Sequence, residues 1–279
     1  MRRIGEVSSF QNVAAGAKAT IDLPADRRYH ALHLNYKTNA ARAVIEADIK
    51  LIKVYLNGIP QWEITAKELL AIYERHGHTF TAGMLPLYFS EPWRRTTQGE
   101  DSTALATLGR FRTFQIEVEF DAAAVAPTLE CFADYDFAPI EQNQIRAMRK
   151  FVRQQVPVAA VGPHTLTNIP NNGSLHGIHC FENAVDDITS VRVKVNDAVI
   201  YDIPRVVADT ILKDQGGAPV AGVFHIAFDR TERVGHMVNQ AIMQNGVPVL
   251  SQFSAEFQMA NASPFFMLYE FVGPANSGG

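Results

Sequence analysis

Cysteine is scarce in this chain, and its scarcity excludes a disulfide framework. Only Cys131 and Cys180 occur among 279 residues, and neither has a second cysteine at the spacing of a metal site. We therefore expect both to be small buried apolar residues.

Long hydrophobic runs and an excess of positive charge are also missing. No apolar stretch approaches the roughly 20 residues that span a bilayer, although hydrophobic residues make up 47% of the chain and charged residues 19%. The opening Met1-Arg2-Arg3 is typical of a signal peptide, but no apolar segment follows it. We expect folding in a cytoplasm, and the net charge of −4 argues against direct nucleic-acid binding.

The motifs of several enzyme classes are absent. The sequence has no phosphate-binding P-loop, no dinucleotide fingerprint and no G-x-S-x-G element for an activated serine. Two domains of ordinary size, or one large domain, fit the length of the chain.

In most segments of the chain, apolar and polar residues alternate with a period of two. This pattern predicts an all-β protein. Between Thr113 and Asp121, apolar and polar residues alternate strictly, so one face of that strand packs and the other is wet. Asn57-Gly58 indicates a type I′ hairpin turn. The other strands predicted in the first half are Ala19–Leu23, Tyr29–Lys37, Asp48–Leu56, Pro60–Ile64, Phe80–Phe89 and Thr128–Phe137.

One segment of the first half predicts a helix instead. Thr65 and Glu68 form a capping box, apolar residues then recur at helical spacing, and Gly77 ends the segment. We expect one short helix over residues 65–76.

The chain contains an internal duplication. Ile49–Asn57 aligns with Ile188–Asn196, 139 residues further on, and the match runs without a gap to Gly77 and Gly216. The other matches place His30 and His33 on His176 and His179, Glu119-Phe120 on Glu256-Phe257, and Phe132, Tyr135 and Phe137 on Phe266, Tyr269 and Phe271.

The duplication predicts two tandem eight-stranded jelly rolls, each with a short helix. Seven strands are recognisable in each copy, and residues 91–109 or 230–250 have room for the eighth. We assign the N-terminal jelly roll to residues 1–138, a linker to 139–156 and the C-terminal jelly roll to 157–279. An immunoglobulin-like sandwich is the alternative, but it lacks the paired cysteines and seldom holds such a helix.

The linker carries a basic stripe. Ile145, Met148 and Val152 fall on one face of a possible helix. The other face would carry Arg146, Arg149, Lys150 and Arg153. This stripe is either a phosphate-binding surface or an ordinary solvated face.

The repeated histidines invite a bicupin metalloenzyme hypothesis. Residues three apart point to opposite faces of a strand, so His30 and His33, or His176 and His179, cannot chelate one ion. His30 shares its face with Leu32, and His176 with Ile178, so we expect hydrogen-bonded core histidines and no enzyme. Calcium binding by Asp186 and Asp187 is the other cofactor hypothesis, although no twelve-residue calcium loop is present.

Two long loops predict protein contacts. Loops of about twenty residues in compact β domains are usually functional or interfacial, and aromatic and arginine residues favour interfaces. The candidate contact residues are Trp93, Arg94, Arg95, Met237 and Met243. Trp93 could instead close one end of its barrel.

These features together resemble a known family. A tandem pair of jelly rolls, each with a helix in the equivalent connection, in fewer than 300 residues is similar to the double jelly-roll major capsid proteins of membrane-containing icosahedral phages, most closely the corticovirus type. The resemblance covers essentially the whole chain, but it supplies no short motif from which site residues could be transferred.

The resemblance implies a structural virion protein. It implies a homotrimer whose six jelly rolls form a pseudo-hexagonal capsomer, which contacts neighbouring capsomers, vertex (penton) proteins and membrane-associated virion proteins around an internal lipid bilayer. Some members of the family bind calcium. In such a shell we expect Arg2, Arg3, Arg146, Arg149, Lys150 and Arg153 to face anionic lipid. The alternatives are the bicupin enzyme and a carbohydrate-binding or phage spike protein.

Overall fold

A computed structural model describes residues 2–94, 96–137, 147–229, 237–239, 241–244 and 247–276. Internal contacts divide the chain into two units, the first formed by residues 1–70, 79–151 and 273–279 and the second by residues 71–78 and 152–272. No helix in the described ranges is long and apolar enough to cross a membrane.

The first copy consists of two antiparallel sheets. Their strands are β1 (Arg3–Glu6), β2 (Lys18–Leu23), β3 (Arg28–Tyr36), β4 (Ile49–Leu56), β5 (Ile59–Ile64), β6 (Met84–Tyr88), β7 (Leu105–Ala106), β8 (Phe114–Phe120) and β9 (Leu129–Asp136). One sheet has the order β1-β9-β3-β6, with β7 pairing on β3, and the other has the order β2-β8-β4-β5.

The second copy repeats this arrangement. Its strands are β10 (Met148–Val156), β11 (Gly162–Leu166), β12 (Ser174–Glu182), β13 (Ile188–Val195), β14 (Ala198–Pro204), β15 (Val223–Ala227), β16 (Val238–Asn239), β17 (Ala241–Gln244), β18 (Val247–Leu250), β19 (Phe253–Met259) and β20 (Phe265–Gly273). The sheets have the orders β10-β20-β12-β15, with β16 on β12, and β11-β19-β13-β14, while β17 and β18 form a separate hairpin.

Each copy is an eight-stranded jelly roll, as predicted, but the eighth strand is not where the sequence placed it. It is β1 in the first copy and β10 in the second, and each pairs with the last strand of its copy. Among the described residues of 91–109 the only strand is the two-residue β7, and the described residues of 230–250 hold the two-residue β16 and the β17–β18 hairpin. β1 escaped notice because it has four residues, none of them buried, and therefore lacks an alternating pattern.

The apolar faces of the strands point inward as predicted. Phe114, Ile116, Val118 and Phe120 are each at most 1% exposed. In the second copy, Phe253, Ala255 and Phe257 belong to a buried cluster drawn from residues 156–271. The same pattern therefore builds the same kind of core twice.

A helix follows the fifth strand of each copy. The first, at Ala66–Arg75, has the predicted capping box: Glu68 Oε2 accepts from Thr65 N at 2.8 Å, and Thr65 Oγ1 accepts from Glu68 N at 3.2 Å. Two helices were not predicted, at Arg42–Asp48 and Thr97–Asp101. In chain order the helices of the described residues are α1 (Arg42–Asp48), α2 (Ala66–Arg75), α3 (Thr97–Asp101) and α4 (Arg205–Asp214).

The predicted linker helix is wrong where the structure describes it. Residues 148–156, which the sequence assigned to a linker, form β10, the longest strand of its sheet together with β12 and β20. Pairing with β20 overrides the helical spacing of Met148 and Val152, because a free strand edge gains a full set of backbone hydrogen bonds. Ile145 and Arg146 lie outside the described residues.

Two of the sequence matches are displaced by two residues. Lys53 lies opposite Glu117 and its counterpart Arg192 lies opposite Glu256, so Glu117, and not Glu119, corresponds to Glu256. The last strands of the two copies show the same displacement. Leu32 pairs with Ala133, and its counterpart Ile178 pairs with Tyr269, so Ala133 corresponds to Tyr269. A slip of two residues leaves every side chain on its original face, so the alternation could not reveal it.

The hairpin turns after β4 and β13 are also equivalent. Asn57 Oδ1 accepts from Thr113 N at 3.2 Å, and Asn196 Oδ1 accepts from Gln252 N at 2.8 Å. Both residues of each turn have positive φ, with Asn57 at 52° and Gly58 at 75°, and Asn196 at 50° and Asp197 at 65°. This is the type I′ geometry that Asn-Gly predicts.

The second turn should be improved by copying the first. We expect Asp197→Gly to stabilise the protein by roughly 0.5 kcal/mol, because glycine has no Cβ to strain at positive φ. Gly58→Asp should destabilise it by a similar amount. Thermal unfolding of both variants tests this, and a lower melting temperature for Asp197→Gly would contradict it.

Candidate functional site

His30 is buried and hydrogen-bonded, as the sequence predicted, but a bulge between Tyr29 and Ala31 breaks the strand alternation that placed it on the face of Leu32. Its Nε2 lies 2.9 Å from Asp136 Oδ2, and the same carboxylate accepts two hydrogen bonds from Arg28, at 3.0 and 2.6 Å. His30 is 0% exposed. The group is a buried ion-pair network on the first sheet of the first copy.

His179 and His225 of the second copy lie on the sheet face opposite the core. His179 is paired across the strands with His225, while its neighbours Ile178 and Cys180 belong to the apolar cluster. A bicupin requires metal-binding histidines inside its barrel, so this geometry does not fit one. The alternation failed at His176, because a bulge lies between Leu175 and Gly177.

The bulge brings His176 to the carboxylates that also neighbour His179. His176 Nδ1 lies 3.8 Å from Glu270 Oε1 and 4.0 Å from Asp229 Oδ2, and His179 Nε2 lies 3.2 Å from Glu270 Oε2. The prediction that His176 shares a face with Ile178 is therefore wrong.

The contacts of this group assign the histidine tautomers. When His179 donates from Nε2 to Glu270, its Nδ1 accepts from Nδ1 of His225 at 2.9 Å. Burial lowers the pKa of His179, and burial together with the neighbouring His179 lowers the pKa of His225 well below its usual value. Both rings are thus held neutral.

Arg75 supplies the positive charge of this group. Its guanidinium forms an ion pair with Asp229 and lies 3.9 Å from Glu270 Oε2. Every side chain of the group is at most 6% exposed. We call Arg75, His176, His179, His225, Asp229 and Glu270 the buried histidine network.

Trp93 and Arg94 are not exposed contact residues. Trp93 is 9% exposed, with the Arg149 guanidinium 4.8 Å from its ring centre, and Arg94 is 6% exposed and paired with Glu91 at 3.0 Å. Within the single chain the loop folds inward around the Arg94–Glu91 pair and covers both side chains, so their role in subunit contacts stays a prediction. Arg95 lies outside the described residues.

The second long loop is described in part. Met237 is half-buried just before β16, and Met243 lies on β17. Their role in subunit contacts stays a prediction.

The basic stripe is also not a solvent-facing surface. Arg149 is 0% and Lys150 2% exposed, and burial lowers the pKa of Lys150 to about 8. The predicted stripe is wrong because residues 148–156 form the strand β10, in which side chains at helical spacing do not all share a face. Arg153 is exposed beside the Phe266 ring, and Arg146 lies outside the described residues.

The N-terminal cations differ from each other. Arg2 pairs with Asp134 at 2.8 Å and with Glu100 at 3.0 Å. Arg3 is exposed, with its guanidinium 5.2 Å from the centre of the Phe137 ring. Arg3 is therefore the N-terminal cation that is not engaged by a carboxylate in these contacts.

The calcium candidates are held by protein groups. Asp186 Oδ1 lies 3.5 Å from Arg205 Nε, and Asp187 Oδ1 accepts a hydrogen bond from Asn261 at 2.6 Å. Calcium binding at this pair stays a prediction.

An exposed apolar surface on β14 and α4 was missed by the sequence analysis. Its side chains are Val199 (52% exposed), Ile200 (40%), Val206 (70%) and Val207 (39%), which we call the β14–α4 surface. A comparison of the two copies could have revealed it, because the first copy has no aliphatic residue at these positions. Its residues there are Pro60, Gln61, Lys67 and Glu68. Adjacent exposed apolar residues mark interaction sites.

Family models match both copies. The viral coat protein P2 N-terminal domain matches residues 4–136, and the viral coat protein P2 C-terminal domain matches residues 148–275. A curated relative, the major capsid protein P2 of Pseudoalteromonas phage PM2, is 30% identical over 139 residues, covering 48% of this chain and 49% of the relative. The match thus spans about half the length of that relative.

Solved structures share the whole fold. The crystal structure of the major capsid protein P2 from bacteriophage PM2 has a TM-score of 0.83 at 21% identity, with 100% of both chains covered. The STIV major capsid protein has a TM-score of 0.70 at 8% identity, with 98% of this chain and 97% of that chain covered. The relatives are thus double jelly-roll capsid proteins.

The buried histidine network predicts a loss of stability in mild acid. The unfolded chain takes up protons near pH 6.5 at His179 and His225, whereas the folded chain resists them. The free energy of unfolding should therefore fall as the pH drops from 8 to 5.5, by up to about 1.4 kcal/mol per pH unit for each histidine.

Denaturant unfolding at several pH values measures this slope. The double variant His179→Leu, His225→Leu should flatten it, and His164→Gln, at a half-buried histidine on β11, should leave it unchanged. An equal slope in the wild type and the double variant would refute the prediction.

Proposed function

The chain belongs to the viral coat protein P2 family, and we propose that this major capsid protein assembles as a homotrimer into the shell of a virion with an internal membrane. A trimer presents six similar jelly rolls and so approximates a hexagon, a shape that tiles a shell from one gene product. The proposed role is structural, and no cofactor or catalytic step enters it.

The β14–α4 surface is the observation that carries the trimer. Ile200 and Val207 are 40% and 39% exposed, whereas their first-copy counterparts Gln61 and Glu68 are 2% and 5% exposed. At these two positions the first copy is buried within one chain and the second is exposed. Pro60 and Lys67, the counterparts of Val199 and Val206, are exposed in the first copy as well. In the proposed trimer, a neighbouring chain packs on the β14–α4 surface and buries its apolar side chains.

Cyclic symmetry extends this argument to a closed ring. An interface between the second copy of one chain and the first copy of the next is heterologous, so it either closes into a ring or continues as a filament. Two similar lobes per chain close with sixfold pseudo-symmetry when three chains meet. The same β14–α4 surface is then covered in every subunit.

The position of the protein in the virion follows from this proposal. The chain is a virion component, made in the host cytoplasm, whose partners are its own trimer mates, neighbouring capsomers, vertex proteins and membrane-associated virion proteins. Arg3 and Arg153 are exposed cations that could contact anionic lipid, unlike the buried Arg149 and Lys150.

Light scattering tests the trimer directly. Three chains of 30.9 kDa give a particle of about 93 kDa. The double variant Val206→Asp, Val207→Asp should shift the protein toward the monomer, because it would bury carboxylates without partners. Val125→Asp, at a residue that is 77% exposed on the first copy, is the matched control and should stay trimeric.

A wild-type chain that remains a 30.9 kDa monomer at high concentration and physiological salt would overturn the proposed trimer. A trimer unaffected by the double variant would show that another surface holds it together.

Co-sedimentation with vesicles tests the membrane contact. Each cation near an anionic surface contributes about 1 kcal/mol, so Arg3→Ala and Arg153→Ala should each reduce binding to phosphatidylserine vesicles roughly fivefold. Arg192→Ala removes an exposed cation paired with Asp202 and serves as the control. Binding that ignores both salt and the two variants would count against lipid contact.

A further inference from the structure

A cavity of about 140 Å³ lies beside Tyr201 in the second unit. It is partly open to solvent and is lined by residues of β14, α4 and β15, among them the polar Asp202 and His225. Its mostly apolar lining includes Tyr201, Ile203, Ala208, Ile211, Leu212 and Ala227. An apolar cavity of about 150 Å³ holds one benzene-sized group, so this one has room for a single apolar side chain.

The first copy shows which side chain packs on the counterpart of Tyr201. Tyr201 corresponds to Trp62, and Phe228 corresponds to Phe89. The ring of Tyr201 packs on Phe228 with ring centres 6.3 Å apart, and the ring of Trp62 packs on Phe89 with ring centres 5.1 Å apart. In the first unit, the ring of Phe151 also packs on Trp62, with ring centres 5.0 Å apart. The main chain nearby is tied down as well, because Trp62 Nε1 donates to the carbonyl oxygen of Arg149 at 2.5 Å.

The counterpart of Phe151 is Ile4. Met1–Ile4 reads Met-Arg-Arg-Ile and Met148–Phe151 reads Met-Arg-Lys-Phe, so the two segments match residue by residue. Their strands β1 and β10 hold the same place in their sheets, at the edge beside the last strand of the copy. Ile4 is 74% exposed, so its own chain leaves it without an apolar partner surface.

We propose that Ile4 of a second copy of this chain fills the cavity beside Tyr201. The N-terminal strand of one chain then packs on Tyr201 of the next as Phe151 packs on Trp62. This inference rests on the proposed trimer and adds the contact that holds it. Each trimer contains three such contacts, which cover both the cavity and an exposed isoleucine.

A disulfide cross-link tests the contact in the full-length chain. Ile4→Cys combined with Ala208→Cys should, on mild oxidation, give covalent dimers and trimers on a denaturing gel, which reductant abolishes. The native Cys131 and Cys180 are 2% and 0% exposed and should not interfere. Ile4→Cys combined with Val161→Cys is the control, because Val161 is 64% exposed and does not line the cavity.

Two substitutions at Ile4 add an independent measurement. Ile4→Asp should weaken trimer association at least tenfold, because it exchanges apolar burial for a buried carboxylate. Ile4→Phe, which copies the residue of the second half, should keep the trimer. Because Ile4 is exposed in the single chain, neither change should alter the fold of the monomer.

The outcomes separate this inference from the proposed function. Cross-linked trimers from the Ile4–Ala208 pair alone, with loss of association in Ile4→Asp, support it. A wild-type trimer that survives Ile4→Asp and gives no such cross-link overturns the contact and leaves the trimer standing. A wild-type monomer overturns both.

Discussion

The packing of a five-stranded sheet against a four-stranded sheet is the constraint on which each copy depends. Ile52 faces Val118 and Val54 faces Ile116 across the central strands of one sheet, and all four side chains are fully buried. Burying an aliphatic side chain contributes about 1.5–3 kcal/mol, so a row of such pairs outweighs the preferences of any single loop. Helices, turns and long connections are placed where this sandwich leaves room for them.

Duplication gave one sandwich two different outer surfaces. In the first copy, Gln61 on the fifth strand and Glu68 on its helix are buried and have partners: Gln61 donates to the carbonyl oxygen of Asn276 at 3.2 Å, and Glu68 accepts from Thr65 N. In the second copy the same positions carry apolar residues that face water. Interior polar groups need hydrogen bonds, whereas an apolar surface needs only a complementary partner, so the second copy is suited to association.

The buried histidine network shows how charged side chains are accommodated in the interior of this unit. Arg75 balances the carboxylates of Asp229 and Glu270, while His179 and His225 stay neutral. Removing one partner from a buried ion pair leaves an uncompensated charge, which is far more destabilising than the loss of a surface pair. The network therefore restricts both the sequence and the pH range in which this unit is stable.

The sequence by itself determined the fold class, the duplication, the capping box at Thr65 and Glu68, and the inward faces of strands such as Phe114–Phe120, because these depend on local periodicity and residue chemistry. Only the tertiary structure decided the register of the last strands, the strand at Met148–Val156 and the burial of Trp93 and Arg149. A two-residue slip preserves every face, and a short edge strand has no pattern of its own. Such features are fixed by contacts with residues that are distant in the sequence, and a local pattern carries no information about those contacts.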